Sequence, residues 1–105
     1  MANLEELAQV FKALSDPLRL RLLKLLTKQN RCKEFCVGGL AEELGISQPN
    51  VSHHLKILKS VGLIKCQKYD GYSYYVVNMD RLEVLLPELK DKLLSASCSG
   101  RGGIL

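Results

Sequence analysis

The sequence predicts a mainly α domain carrying one β-hairpin, with a helix-turn-helix unit at its centre. Three observations carry that expectation. Leucine-rich stripes at helical spacing run through residues 4–26 and 82–93. Two short helical patterns flank Gly45. After Gly62 the apolar period changes to two, with Asp70-Gly71 between the alternating runs. At 105 residues the chain has room for one domain, since a domain takes about 100–200 residues. Residues 1–95 are expected to form it, and the small, glycine-rich residues 96–105 a flexible tail.

Asn3 with Glu6 reads as a capping box, and Leu4, Leu7, Phe11 and Leu14 make residues 4–14 an amphipathic helix. Asp16-Pro17 restarts the chain, because Asp caps and Pro fits a first helical position. Leu18, Leu22, Leu25 and Leu26 then form an apolar face, with Arg19, Arg21 and Lys24 largely off it. Residues 27–35 are polar and irregular, a loop or a frayed helix end. Leu40, Ala41 and Leu44 predict a short helix stopped by Gly45. Ser47 caps the next helix, Pro49 fits its first turn, and Val51, Leu55 and Leu58 supply its buried stripe. Two short helices around a tight glycine turn make a helix-turn-helix.

Leu63–Lys68 and Ser73–Val77 read as strands. With Asp70-Gly71 as a two-residue turn, Tyr69 pairs with Tyr72 and Cys66 with Tyr75. Ile64, Cys66, Tyr75 and Val77 then share one face, and Lys65 points the other way. Asp80 with Glu83 reads as the cap of a last helix, whose stripe is Leu82, Leu85, Leu86, Leu89 and Leu93. Pro87 inside that pattern is expected to kink or split it.

Net charge is +4, with 47% apolar and 25% charged residues, values of an ordinary folded chain. No apolar run approaches the roughly twenty residues of a membrane span, and Glu5 and Glu6 interrupt any secretory signal. The expected location is the cytoplasm, with no membrane partner and reduced thiols. The basic excess is local. Residues 47–75 carry Lys56, Lys59, Lys65 and Lys68 against Asp70 alone, and residues 47–69 contain no carboxylate. Such a patch suits a polyanion.

On helix 48–60 the side left over after Val51, Leu55 and Leu58 bears Gln48, Ser52, Lys56 and Lys59 as one stripe, flanked by Asn50 and His53. Gln and Asn pair bidentately with adenine, while Ser and His reach base edges or phosphates. With Ser47 at its start, this helix is expected to enter the DNA major groove by its first two turns. Gln48, Asn50, Ser52, His53 and Lys56 would read bases; Lys59, Lys65, Lys68 and Tyr72 would hold the backbone, the last three on a hairpin that resembles a wing. Adjacent His53 and His54 point about 100° apart and cannot easily share an ion, so His54 is assigned a half-buried structural role.

The stretch Ser47-Gln-Pro-Asn-Val-Ser-His-His-Leu-Lys-Ile-Leu-Lys-Ser-Val-Gly-Leu-Ile64 resembles the recognition helix of the ArsR/SmtB repressors. Phe11-Lys-Ala-Leu-Ser-Asp-Pro-Leu-Arg-Leu20 matches their first-helix junction, and Glu34-Phe-Cys-Val-Gly-Gly-Leu-Ala-Glu-Glu-Leu44 is similar to their metal-binding helix. Asp70-Gly71 followed by Tyr74-Tyr75 matches their wing. The resemblance spans about residues 4–95. It implies a dimeric winged helix-turn-helix, a homodimer joined through first and last helices, which binds a palindromic DNA operator without a cofactor and leaves when an inducer binds, usually a metal or metalloid. The leucine stripe of residues 82–93 supports such an interface independently, since so small a domain gains from burying it.

The same resemblance frames the cysteines. Many arsenic and cadmium sensors of the family carry Cys-Val-Cys where this chain has Cys36-Val37-Gly38. Cys32, four residues upstream, would share a helical face with Cys36. A trigonal As(III) or Sb(III) site needs a third thiolate, for which Cys98 in the tail is the candidate. The family's other site uses Asp and His on the last helix, and residues 78–95 contain no histidine. A redox or reactive-sulfur switch between Cys32 and Cys98 is the rival reading: Arg31 and Lys33 beside Cys32 would raise its reactivity. Cys66 reads as a small core residue, and Cys36 could be one too.

Enzymatic function is not expected. There is no glycine-rich phosphate loop, no hydrolase spacing of Ser, His and acid, and Cys32-x-x-x-Cys36 is not a thioredoxin-like Cys-x-x-Cys. A winged-helix protein-interaction module is the alternative of another class, separable by salt-sensitive binding to duplex DNA.

Overall fold

The computed structural model of the chain describes residues 3–28, 36–69 and 71–94, the side chains of Lys28, Tyr69, Tyr72 and Ser73 excepted. Their order is α1 (Leu4–Leu14), α2 (Pro17–Lys28), α3 (Val37–Leu44), α4 (Gln48–Ser60), β1 (Ile64–Tyr69), β2 (Tyr72–Val77) and α5 (Met79–Leu94). The expected tail, Cys32 and Cys98 lie outside the described residues.

The capping box forms as read: Glu6 N–H donates to Asn3 Oδ1 at 2.8 Å and Asn3 N–H to Glu6 Oε1 at 3.0 Å. The buried line of α1 is Leu7, Val10 and Ala13, while Leu4 stays 52% exposed and Phe11 and Leu14 are half-buried. α1 packs on both α2 and α5. At the α1–α2 corner Leu18 N–H donates to Asp16 Oδ1 at 2.8 Å. The line that α2 buries is Leu22, Leu23 and Leu26. Continued back by one turn, it reaches Arg19 rather than Leu18.

α3 packs on α4 across a three-residue turn. Gly45 adopts φ +70°, a left-handed conformation, and the N–H groups of Gly45 and Ile46 both donate to the Ala41 carbonyl at 2.8 and 3.1 Å. Ile46 then folds back onto the core. Ser47 caps α4 through the Asn50 N–H at 3.3 Å. Val51, Leu55 and Leu58 are at most 1% exposed and meet Leu22, Leu40 and Leu63 in one cluster.

The hairpin has the expected register, with Ile64 opposite Val77, Cys66 opposite Tyr75 and Tyr69 opposite Tyr72. Its strands include both tyrosines beside the turn, one residue more than expected for β2.

The last helix is capped by Asn78, not by Asp80. Asn78 donates its backbone N–H to the Leu63 carbonyl at 2.8 Å and its Nδ2 to the Gly62 carbonyl at 3.1 Å, while its Oδ1 accepts from Arg81 N–H at 3.4 Å. Those bonds pin Asn78 to the end of α4, so α5 starts at once with Met79. Pro87 lies inside α5 without splitting it. Both Pro87 and Glu83, whose carbonyl loses its usual donor, are exposed, so that carbonyl can hydrate. Of the expected α5 stripe only Leu85 is buried; Leu82 and Leu89 are half-buried, and Leu86 and Leu93 stand 65% and 62% exposed.

Candidate nucleic-acid interface

α4 buries one side completely and presents the other. Ser47, Gln48, Asn50, Ser52, His53, Lys56 and Lys59 are all exposed. The stripe at Gln48, Ser52, Lys56 and Lys59 therefore runs outward along a helix about 20 Å long. The Gln48 amide lies beside α3: a Cβ added to Gly38 would sit 3.5 Å from Gln48 Nε2.

The hairpin extends this surface. Lys65 and Lys68 are exposed. Strand alternation puts them on opposite faces of the ribbon, Lys68 on the face of Ile64 and Cys66 but nearer the turn. Tyr72 opens β2; its side chain lies outside the description. Gly62, at φ +80°, lets the chain leave α4 into β1, with Leu63 N–H donating to the Leu58 carbonyl at 3.1 Å.

Behind this face sits Arg19, which the leucine pattern of α2 puts largely off the apolar face. Arg19 donates its Nε to the Ala13 carbonyl at 2.7 Å, lies 3.7 Å from Asp16 Oδ2 and places Nη1 3.1 Å from His54 Nδ1. Its side chain is only 13% exposed. The signal was present: Arg19, Leu22, Leu23 and Leu26 share one helical face. His54 is half-buried as expected. Burial lowers its pKa below the ordinary 6.5, with Arg19 and His53 adding to that effect and Asp16 opposing it. The hydrogen bond from the Leu18 amide, joined by the charge of Arg19, holds Asp16 below its ordinary 3.8 against the opposing effect of burial.

Two of the four cysteines, Cys36 and Cys66, fall among the described residues. Cys36 is the N-cap of α3, with φ −77° and ψ 175°, so its backbone is extended and α3 begins only at Val37. Cys36 thus precedes α3, and its pairing with Cys32 lies outside the described residues. Its thiol is half-buried. Cys66 is half-buried beside Tyr75, its cross-strand partner, and burial followed by this thiol raises the Tyr75 pKa. Among the described residues no group of three or more His, Cys, Asp or Glu could hold a metal ion. No helix among them is long and apolar enough to cross a membrane.

Among the described residues, five helices with a central helix-turn-helix and a two-stranded ribbon directly after the second of its helices define a winged helix-turn-helix protein. The profile of the family described as "Bacterial regulatory protein, arsR family" matches residues 16–65. The chain is 39% identical over 93 residues to an uncharacterized HTH-type transcriptional regulator, MJ1325, of Methanocaldococcus jannaschii, covering 89% of this chain and all of that one. It is 37% identical to an arsenical resistance operon repressor of Staphylococcus xylosus, over 77% of this chain and 74% of the relative. A solution structure of the homodimeric winged helix-turn-helix DNA-binding domain Mb0332 of Mycobacterium bovis superposes with TM-score 0.65 at 32% identity, over 87% of this chain and 83% of that one. The chain belongs to the arsR family of bacterial transcriptional regulators.

Proposed function

We propose that this protein is a homodimeric repressor that seats α4 of each protomer in successive major grooves of a palindromic operator. The observation that carries the reading is the outward stripe of Gln48, Ser52, Lys56 and Lys59 on a face without a carboxylate. Gln48, Asn50, Ser52 and His53 supply base-edge donors and acceptors, and Lys59, Lys65 and Lys68 meet phosphates. Leu86, Leu93, Leu94, Val84 and Leu4 are large exposed apolar side chains on α5 and α1, a surface that a second copy would cover. The homodimeric Mycobacterium bovis neighbour supports that assembly.

The inducer we propose is a thiophilic ion, As(III) or Sb(III), taken by Cys36 with Cys32 and Cys98. The arsenical-resistance relative supports it. Soft thiolates favour such ions.

Selection of binding sites from a randomised duplex library tests the DNA reading. The expected product is a palindrome with half-sites about 10 bp apart, or a multiple of that spacing. Recovery of no sequence, together with binding that ignores salt, would point instead to a protein-interaction module. Titrating the reduced protein with As(III) while counting free thiols tests the inducer. Loss of three thiols per protomer, restored by a competing dithiol, is expected; a Cys32–Cys98 crosslink formed only under oxidant or persulfide would replace the ion with a redox switch.

A further inference from the structure

Arg19 ties three parts of the fold together: the end of α1 through the Ala13 carbonyl, the α1–α2 corner through Asp16, and the middle of α4 through His54. A guanidinium has donors only, so His54 Nδ1 is the acceptor and that ring is neutral with its proton on Nε2. His54 in turn meets His53 edge to face, ring centroids 5.5 Å apart at 60°. His53 is exposed on the side of α4 that carries Ser52 and Lys56.

We infer that Arg19 is a positioning residue for DNA recognition: it holds His54 in the Nε2–H form and thereby fixes the His53 ring and the tilt of α4 against the α1–α2 corner. The inference rests on the proposed DNA-binding role of α4. It differs from a purely structural role in one respect: Val51, Leu55 and Leu58 anchor the buried side of α4, whereas the Arg19–His54 pair reaches the edge next to His53. The charged and titratable groups around His54 are Asp16 at the corner, Arg19 on α2 and His53 on α4. A proton on Nδ1 would set N–H against the guanidinium and break the tie. Arg19 and α4 should therefore separate as His54 protonates.

The test uses a duplex selected by the wild-type protein and a temperature at which circular dichroism shows every variant folded. Arg19→Ala and His54→Leu are each expected to weaken binding about tenfold, as loss of a charge-assisted hydrogen bond would. The double variant should bind no worse than either single one. Arg19→Lys, which keeps the charge but cannot reach both acceptors with a planar fork, should not rescue binding. Nitrogen-15 spectra should show His54 protonated on Nε2 in the wild type and as mixed tautomers in Arg19→Lys, with a higher His54 pKa in Arg19→Ala. Val10→Ala, a core change on α1, should lose thermal stability without losing affinity. If Arg19→Ala does not fold, Arg19→Lys and His54→Leu carry the test. Wild-type affinity in those folded variants, or additive losses in the double variant, would overturn the inference. Failure of the wild type to select any duplex would instead overturn the DNA-binding reading beneath it.

Discussion

Salt dependence gives the proposed complex its sharpest number. Lys59, Lys65 and Lys68 are exposed, and each is assigned a phosphate. A dimer brings twice that set to one operator, about six contacts, and each neutralised phosphate contributes about −0.9 to the slope of log affinity against log salt. The wild-type slope should be about −5, so raising salt from about 50 to 200 mM should cost roughly a thousandfold in affinity. Lys65→Gln removes one contact per protomer, two per dimer, and should bring the slope to about −3.6. Lys65 lies on the face of β1 turned away from Ile64, so this change should leave the core and the melting temperature intact. The assay is fluorescence anisotropy of a labelled duplex titrated at several salt concentrations. An unchanged slope for Lys65→Gln would remove the hairpin from the interface. A wild-type slope near zero would remove the electrostatic argument altogether.

Four further outcomes are expected. Asn78→Ala deletes the cap of α5 and the bond to the Gly62 carbonyl, and should cost about 0.5–2 kcal/mol from the cap alone. Thermal unfolding should show a fall of roughly 4–8 °C per kcal/mol, and an unchanged melting temperature would argue against the cap. Cys36→Ser should keep DNA affinity and abolish release by As(III). Conversely, Gly38→Cys has room, since its Cβ would meet Gln48 Nε2 at an ordinary 3.5 Å, and should tighten As(III) binding by placing a second thiolate two residues from Cys36. Metalloid titrations of both variants decide this. Stability should also fall on acidification below about pH 6.5, because the unfolded chain binds a proton at His54 there and the folded one resists it. In His54→Leu that part of the pH dependence should vanish from denaturant titrations.

Much of this could be read from the residues because local chemistry and tertiary packing agree. Asp70-Gly71 between alternating runs sets a two-residue turn, and with it the Cys66–Tyr75 and Tyr69–Tyr72 pairs. Val51, Leu55 and Leu58 mark the buried side of α4 without ambiguity, so the opposite stripe follows. What escaped depends on contacts distant in sequence. Arg19 falls largely off the leucine face of α2, and its role is not local: its partners come from the α1 carboxyl end and from α4, 35 positions away. Asn78 was passed over for Asp80 because its hold on Gly62 and Leu63 exists only once the hairpin has closed. Cys36 precedes α3 by one residue, a boundary decided by its extended backbone and not by side-chain pattern. Leu86 and Leu93 belong to the apolar pattern of α5 yet face outward, as expected if a second copy completes the core.

The central claim is that the outward face of α4 is the surface that meets DNA. Amide chemical shifts of the labelled protein, followed as a selected duplex is added, test it most directly. The largest changes should fall on Gln48–Lys59 and on Lys65 and Lys68, with α3 little affected beyond Gly38. Shifts confined to α1 and α5, with Gln48–Lys59 unmoved, would contradict it.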